Sequence, residues 1–297
     1  MKDTLSRILK LHASGTETAG SCADDTAGAE VSTAQHNKVA SAWDRVELSR
    51  MKDRPVGEDY IQAMFTDFIE FHGDRCFADD KAVIGGVGRF NGRPVTVIAQ
   101  AKGTNTKENI ERNFGMPSPD GYRKALQLMK QAEKFGRPVI CFVDTPGRSA
   151  VWKRRSGGRA RRSPEAYMKC PPLEFPYYRS SSEKAEAEDA AMATSDEVWM
   201  LENSVYSILS PEGFASILWK DSTRAKEAAE VMKLTAGDLL QARIVEQIVK
   251  EPGHYTVQNM KEVTSKLKKY MERFLGTYGQ MSEEELTEHR YMRFRRM

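Results

Sequence analysis

The chain has 297 residues, of which 40% are hydrophobic, and its formal net charge is +3. This length can bury a substantial core, and we expect one α/β domain with helical extensions. The sequence contains no apolar run of eighteen residues and no apolar signal-peptide core in residues 1–10, so we expect a soluble cytoplasmic protein with no membrane contact.

The spacing of cysteines and histidines gives no support for a metal site or a disulfide framework. The five histidines show no ligand spacing, and the cysteines form no C-x-x-C pair. The four cysteines are Cys22, Cys76, Cys141 and Cys170. We therefore expect reduced thiols and no metal on this chain.

The N-terminal part has the composition of an unfolded segment. Residues 14–37 are rich in Ser, Thr, Ala, Gly and Asp, and their apolar side chains are too few to offset the entropy of ordering. We expect residues 1–40 to be a mobile tail, with a folded domain from 41 to 275. An apolar stripe then predicts a helix, and its members are Ile61, Phe65, Phe68 and Ile69.

Two strands are predicted next, at 82–87 and 94–100, joined by an Asn91-Gly92 hairpin turn. The segment 85–88 contains Gly85, Gly86 and Gly88, but it lacks the last glycine of the G-x-G-x-x-G pattern of a dinucleotide-binding loop and the helix that follows that loop. We therefore expect a strand with close backbone contacts. Lys102 and Gly103 follow the second strand, where a lysine and exposed amides could meet an anion. An ordinary solvated loop is the alternative.

The clearest local pattern lies between 118 and 147. Ser118-Pro119 predicts the start of a helix that ends at Gly136, and its N-terminal end favours negative charge. The apolar run 139–143 then predicts a buried strand that stops at Asp144-Thr145-Pro146-Gly147. The carboxyl end of such a strand is the usual ligand-binding edge of an open α/β sheet.

A second unit of the same kind follows later in the chain. Strands are predicted at 197–201 and 205–209, and Ser210-Pro211-Glu212-Gly213 repeats the form of Ser118-Pro119-Asp120-Gly121 at a helix start. A repeated strand-strand-helix unit is the simplest description. Beyond Trp219 the chain is mainly helical, and Ser282 with Glu285 predicts the capping box of a final helix.

These segments together resemble the α subunit of bacterial acetyl-CoA carboxylase carboxyltransferase. The resemblance covers about 43–147 and 190–297, and it is carried by the segments 102–108, 112–117, 121–126, 144–147, 210–219 and 285–296. It implies a crotonase-like α/β fold, a spiral of strand-strand-helix units with C-terminal helices. We expect residues 276–297 to form a C-terminal helical extension. Motifs of this length are highly specific.

The resemblance also implies a reaction. Carboxyl transfer from carboxybiotin on a carrier protein to acetyl-CoA would give malonyl-CoA, the first step of fatty acid biosynthesis. The implied partners are a β subunit in a heterotetramer of two α and two β chains, the biotin carboxyl carrier protein and biotin carboxylase, which uses ATP in the complete complex. Backbone donors are expected to stabilise the enolate and the ureido anion.

The segment 148–190 departs from the family. The family resemblance stops and resumes abruptly at the two ends of this segment, and the segment has nearly the length that the family has there. We therefore hypothesise a slip of the reading frame that is corrected later in the coding sequence. Four prolines and the absence of a five-residue apolar run predict that it contains no central strand. We therefore expect poor folding or no activity, because losing an interior strand removes several apolar side chains at about 2 to 5 kcal/mol each.

The candidate site residues are those in retained segments. We expect Lys102 to contact an anion and Gly103, Gly115 and Gly147 to supply backbone donors, while the catalytic residues of the family's glycine-rich turn have no counterpart. Two other functions stay open. One is a noncatalytic scaffold that keeps the β partner, and the other is a nucleic-acid arm in the basic run 148–162, which is less favoured than a solvated loop.

Overall fold

The computed structural model describes residues 40–145, the backbone of 177–181, and residues 195–207 and 209–297. Within these ranges seven strands form one sheet in the order β1-β2-β3-β4-β5-β6-β7. The strands are β1 (Thr66–Glu70), β2 (Val83–Phe90), β3 (Arg93–Gln100), β4 (Val139–Val143), β5 (Tyr177–Ser181), β6 (Glu197–Leu201) and β7 (Gln247–Val249). The first three pair antiparallel, whereas every pair from β3 to β7 is parallel.

The α-helices cover both faces of the sheet. They are α1 (Ala42–Ser49), α2 (Gly57–Met64), α3 (Thr106–Glu111), α4 (Pro119–Lys134), α5 (Pro211–Trp219), α6 (Ala225–Met232), α7 (Ala236–Gln241), α8 (Met260–Tyr278) and α9 (Glu283–Arg295). Short 3₁₀ turns lie at Asn113–Gly115, Ser222–Arg224 and Val257–Asn259. Across the described residues, every helix is either too short or too polar to cross a lipid bilayer.

The side chains of β4 show how the core is divided. Ile140 and Phe142 pack in the cluster that α2 and α8 cover, whereas Val139, Cys141 and Val143 pack in the cluster under α4. All five are buried, which explains why this parallel strand has an uninterrupted apolar sequence. The strand predicted at 139–143 is confirmed.

The predicted hairpin and helix starts are also confirmed. Asn91 and Gly92 have φ values of 48° and 79°, and the two-residue turn that they form joins β2 to β3. Close backbone contact explains the glycines of β2, because a Cβ on Gly86 would overlap the carbonyl oxygen of Ile69. Gly136, with φ 61°, follows the end of α4, and Ser282 forms the predicted capping box with Glu285.

Two local predictions are wrong. The helical stripe continues only to Met64, because Phe65 is extended and the next five residues form β1, which pairs with β2. Edge pairing with a formed strand overrides the helical spacing. Of the strand predicted at 205–209, the described residues show isolated bridges at Val205 and Tyr206, and Val205 pairs antiparallel with Thr235, which immediately caps α7.

The prediction that 148–190 contains no central strand is also wrong. The backbone of β5 pairs in parallel with both β4 and β6. All four prolines of the segment precede Tyr177, so the five strand residues keep every N–H group for the two ladders. Backbone pairing does not require apolar side chains, which is why a search for an apolar run misses this strand. The remainder of that segment and the predicted N-terminal tail lie outside the described residues.

The last helix is tied to the sheet by two arginines. Arg290 donates to both carboxylate oxygens of Asp196 at 2.9 and 3.0 Å, just before β6. Arg293 donates to both oxygens of Glu246 at 2.5 and 3.1 Å, just before β7. The amino ends of these two strands are thus held by α9.

Candidate functional site

The candidate site lies where β3 and β4 end. These strands run in parallel from Thr96 opposite Val139 to Ala99 opposite Phe142, so their carboxyl ends share one edge of the sheet. Lys102 follows β3, and Asp144 follows β4. The structure thereby brings together two segments that the sequence suggested separately, at the edge where open α/β sheets bind ligands.

An ion pair joins the two strand ends. Lys102 Nζ lies 3.0 Å from Asp144 Oδ1, and the side chains are 17% and 5% exposed. The Asp144 amide donates to Gln100 Oε1 at 3.1 Å, which fixes the turn after β4. Lys102 is therefore a cation held in place by a buried carboxylate, and it does not extend freely into solvent.

Position 115 lies beneath this ion pair and requires a glycine. Its φ is +73°, and a Cβ there would lie 2.7 Å from Lys102 Cγ and 3.3 Å from the carbonyl oxygen of Asp144. Its amide donates to Arg112 O at 2.9 Å. The residue thus makes room for the Lys102 side chain, while its own N–H group has an internal acceptor.

Gly103 has a similar role beside α3. A Cβ on it would overlap the backbone nitrogen of Asn109 and Glu108 Cβ, and its amide donates to Asn109 Oδ1 at 3.0 Å. The donor roles expected for Gly103 and Gly115 stay predictions, and they require these internal hydrogen bonds to open. Gly147 lies outside the described residues.

The loop before α4 contains a feature that the sequence reasoning missed. Asn113, Phe114 and Gly115 have consecutive positive φ values of 48°, 57° and 73°. Left-handed backbone is unfavourable for a phenylalanine, and such strain is concentrated at ligand sites. The Phe114 side chain is 50% exposed although its backbone is constrained, so it is a further candidate for substrate contact.

The N-terminus of α4 is occupied by a carboxylate of the protein itself. Asp80 Oδ2 accepts from the Ser118 amide at 2.5 Å and from the Ser118 hydroxyl at 2.6 Å. Ser118 is the N-cap residue, but its side chain makes no capping bond of its own. The positive end of this helix is therefore already satisfied by Asp80, which the sequence reasoning did not identify.

Two further carboxylates hold the first turns of α4. Asp74 accepts from Arg123 Nε at 2.7 Å, and Asp79 accepts from Lys124 Nζ at 2.9 Å. Partial burial raises the pKa of Asp79, but hydrogen bonds from Gly73 N–H, Lys124 and His72 outweigh this and lower the pKa to about 2. The three aspartates in the loop between β1 and β2, at positions 74, 79 and 80, were the available sequence signal.

A buried polar cluster lies near the carboxyl end of β7. Arg54 Nη1 is 2.8 Å from Glu251 Oε2, with exposures of 5% and 0%, and the hydroxyls of Tyr60 and Tyr255 are 2.8 Å apart. Burial lowers the pKa of Arg54, but the charge of Glu251 and the hydrogen bond to it outweigh this effect and raise the pKa.

The arrangement of possible metal ligands and of cysteines bears on metal and disulfide chemistry. Within the described ranges, no group of three His, Cys, Asp or Glu side chains is arranged to hold a metal ion. Cys76 is exposed and Cys141 is buried, and the two are not joined by a disulfide bond. The basic run 148–162, which carries the nucleic-acid alternative, lies outside the described residues.

Comparison with known proteins gives consistent results. A model of the family described as acetyl co-enzyme A carboxylase carboxyltransferase-like matches residues 7–297. The acetyl-coenzyme A carboxylase carboxyl transferase subunit alpha of Clostridium acetobutylicum is 49% identical over 264 residues, which cover 89% of this chain and 96% of that protein. The subunits beta/alpha protein of Clostridium tetani is 45% identical over 99% of this chain and 51% of its own length.

Solved structures support the fold. The transcarboxylase 12S structure aligns with a TM-score of 0.59 and 16% identity over 79% of this chain, and the beta subunit of P. aeruginosa geranyl-CoA carboxylase aligns with 0.57 and 12% over 83%. The chain spans less than half of either solved chain, at 44% and 46%. At these identities the likeness establishes the crotonase-like α/β fold alone.

Proposed function

Because the chain belongs to the acetyl-coenzyme A carboxylase carboxyltransferase family, we propose that it transfers the carboxyl group of carboxybiotin to acetyl-CoA, as the α-type subunit. The carboxybiotin is carried by a separate carrier protein, and the product is malonyl-CoA. The observation that carries this proposal is the 49% identity to a relative of which the chain covers 96%.

The chemistry defines what the site must supply. A base takes a proton from the methyl carbon of acetyl-CoA, and the resulting enolate carbon attacks the carboxyl carbon of carboxybiotin. A carbon–carbon bond forms while the nitrogen–carbon bond to the carboxyl group breaks, and the ureido nitrogen takes the electron pair and then a proton. Negative charge therefore develops on two oxygens, which polar donors must stabilise.

Lys102 is proposed to supply positive charge at this edge of the sheet. Its ammonium group lies 3.0 Å from Asp144, and this contact directs the lysine across the ends of β3 and β4. Gly115 leaves the space in which the lysine stem lies. Lys102 is thus proposed to donate a hydrogen bond to an anionic substrate group, while the buried Asp144 keeps the ammonium group in one place.

The main-chain donors are expected elsewhere. Since the amides of Gly103 and Gly115 donate to Asn109 and Arg112, the donors expected for the enolate and ureido oxygens are those of the turn at Gly147 or of a partner subunit. A site completed by a second subunit is consistent with the fused relative, in which beta and alpha regions form one chain.

The proposed partner is a β-type subunit, in a complex of two α and two β chains. Helix α5 is a suitable contact surface, because Ile217 and Leu218 are exposed although the helix is apolar, and Phe214 and Trp219 pack edge to face beside them. Exposed apolar groups that are contiguous typically mark protein contacts. The carrier protein and biotin carboxylase would regenerate the carboxybiotin.

Carboxyl transfer by the purified chain with a β subunit and carboxybiotin tests the proposal. We expect malonyl-CoA to form more slowly than with a variant in which 148–190 carries family residues, because the family's turn after β4 is replaced here. Equal rates would show that this segment is competent, and sequencing the coding DNA tests the frame hypothesis directly. If the variant also forms no malonyl-CoA while it binds the β subunit, the chain is a scaffold and the proposal is wrong.

A further inference from the structure

Helix α3 and the loop that follows it lie beside Lys102, and they depend on contacts from outside the segment. The helix has six residues, and none of them is buried. A helix of this length is not stable on its own. The loop carries the three consecutive positive φ values at 113–115, which are unfavourable unless surrounding contacts impose them. Something outside this segment must therefore hold the loop in its conformation.

An ion pair between Arg112 and Glu58 provides such a contact. Arg112 follows the last residue of α3, and its Nη2 donates to Glu58 Oε2 at 2.8 Å, with exposures of 21% and 43%. Glu58 lies in the first turn of α2. A Cβ on the preceding Gly57 would lie 2.6 Å from the carbonyl oxygen of Gln100, so this turn packs directly on the end of β3. The ion pair thus joins the loop to an element that is fixed beside the strand from which Lys102 emerges.

The same arginine is connected to Lys102 through the backbone of the loop. The carbonyl oxygen of Arg112 accepts from the Gly115 amide at 2.9 Å. Gly115 lies against the lysine stem, since a Cβ on it would be 2.7 Å from Lys102 Cγ. Lys102 Nζ in turn lies 3.0 Å from Asp144 Oδ1. A displacement of Arg112 would therefore be transmitted through Gly115 to the ammonium group.

The other contacts of Arg112 indicate that it is not optimised for stability alone. Glu108, on the preceding turn of α3, accepts from the Thr104 amide at 2.9 Å and from Asn105 Nδ2 at 2.7 Å, so it holds the loop before the helix. Among the described residues, Arg112 Nη1 is buried and has no hydrogen-bond acceptor, which costs free energy. A partly exposed ion pair also stabilises a fold only weakly.

We propose that Glu58 and Arg112 are positioning residues for carboxyl transfer, because their ion pair holds the loop at Gly115 against the stem of Lys102. The inference rests on the proposed function, in which Lys102 contacts an anionic substrate group. Glu58 and Arg112 act only through that lysine. Their effect on the reaction should therefore depend on whether the lysine is present.

A double-mutant cycle with Lys102 tests this dependence. With the β subunit and carboxybiotin, we expect Glu58→Ala and Arg112→Met each to lower kcat/KM about tenfold, since a small misplacement of a positioned group lowers the rate strongly. In chains that carry Lys102→Met, the same substitutions should change kcat/KM by less than about twofold, because the group that they position is absent. Thermal unfolding of each variant checks that the fold is retained.

Glu111→Ala is the matched control. Glu111 is next to Arg112 in the chain, and it pairs with Lys81 at 3.0 Å, with exposures of 44% and 63%. Breaking this pair also removes a carboxylate from the same end of α3, but it leaves the contact with α2 in place. The value of kcat/KM should therefore be unchanged.

Deuterium exchange of the loop in the full chain gives a readout that needs no activity. The Gly115 amide donates to Arg112 O, and the Met116 amide donates to Asn113 O at 3.0 Å. We expect both amides to exchange several-fold faster in Glu58→Ala than in the parent or in Glu111→Ala, because the loop opens more often when the ion pair is lost.

The outcomes distinguish the failure of this inference from the failure of the proposed function. Equal losses of kcat/KM with and without Lys102 would overturn the positioning role, as would unchanged kcat/KM in Glu58→Ala. Parental exchange rates in Glu58→Ala would show that the ion pair does not hold the loop. Absence of malonyl-CoA with the parent chain contradicts the proposed function and the role in transfer, while the exchange rates still decide whether the ion pair holds the loop.

Discussion

A small structural unit is formed by Lys102, Asp144 and Gly115, in which each residue meets a requirement that another residue sets. The carboxylate is buried and needs a cation, the lysine stem needs space, and a glycine at φ +73° provides that space. The unit therefore contributes both to stability and to the proposed activity, and substitutions can separate these two contributions. Sequence reasoning found Lys102 and Gly115 but could not show that they touch.

We expect Lys102→Met to lower both stability and activity. Removing the cation leaves Asp144 buried without its charge partner, which costs about 3 kcal/mol, and it removes the proposed anion contact, which should lower kcat/KM about tenfold or more. Urea unfolding and the carboxyl-transfer assay measure the two effects. The double variant Lys102→Met with Asp144→Leu should recover stability but not activity, and recovery of both would contradict the proposed role.

Gly115→Ala tests the space under the lysine. A Cβ there costs about 1 to 2 kcal/mol for the left-handed backbone, and it also displaces Lys102, so activity should fall by more than stability alone explains. The matched control is Gly92→Ala, whose φ is +79° but whose Cβ would have nothing within 4 Å. We expect Gly115→Ala to lose more stability than Gly92→Ala, and only Gly115→Ala to lose activity. Equal activity in the two variants would argue against the site.

Helix α4 and the aspartate-rich loop before β2 behave as one element. Three carboxylates of the loop hold the first turns of the helix, and the helix in turn positions the turn at Gly115. The pKa of Asp79 is lowered to about 2, and that of Asp74 is lowered by hydrogen bonds from Phe77 and Cys76 N–H groups and from Arg123, against the opposing effect of burial. The attachment of α4 should therefore depend on pH.

Because the folded-state pKa of Asp79 lies below its usual value, its contribution is fully present above about pH 4 and is lost as the pH falls to about 2. We expect the urea midpoint to decrease over this range, and to decrease less in Asp79→Asn, which has already lost the ionised form. Asp67→Asn, at an exposed position, is the control and should follow the parent. A parallel decrease in Asp79→Asn would show that Asp79 is not the titrating group.

The elements that the sequence predicts well are those whose local signals and tertiary contacts agree. Helix α4 has a start signal and an end signal, and β4 is apolar because both of its faces are buried. Strands β1 and β5 were missed because each is specified by a neighbouring ladder rather than by its own side chains. The Asp80 cap was missed for the same reason, since it comes from a residue 38 positions away.

At the level of the whole molecule, helix α5 is apolar, yet most of its residues are not buried in the isolated chain. Only Pro211 and Ala215 of its nine residues are buried, and Ile217 and Leu218 face outward. A surface of this kind is stabilised when another subunit covers it. The proposed reaction also needs a second subunit, so assembly and activity should be linked.

We expect the double variant Ile217→Asp with Leu218→Asp to lose binding to the β subunit while it keeps its fold, because both side chains are exposed. Size-exclusion chromatography and circular dichroism measure the two properties. Ile110→Asp, at another exposed isoleucine on α3, is the control and should assemble normally. Normal assembly of the double variant would place the subunit contact on another surface.

The attachment of α9 has a consequence for how the chain moves in solution. Terminal helices commonly open before the rest of a protein does. Here such opening would leave Asp196 buried without its guanidinium partner, so the helix is coupled to the starts of β6 and β7. Its amide protons should consequently exchange with deuterium at rates close to those of the sheet, as part of the slowest-exchanging cooperative unit.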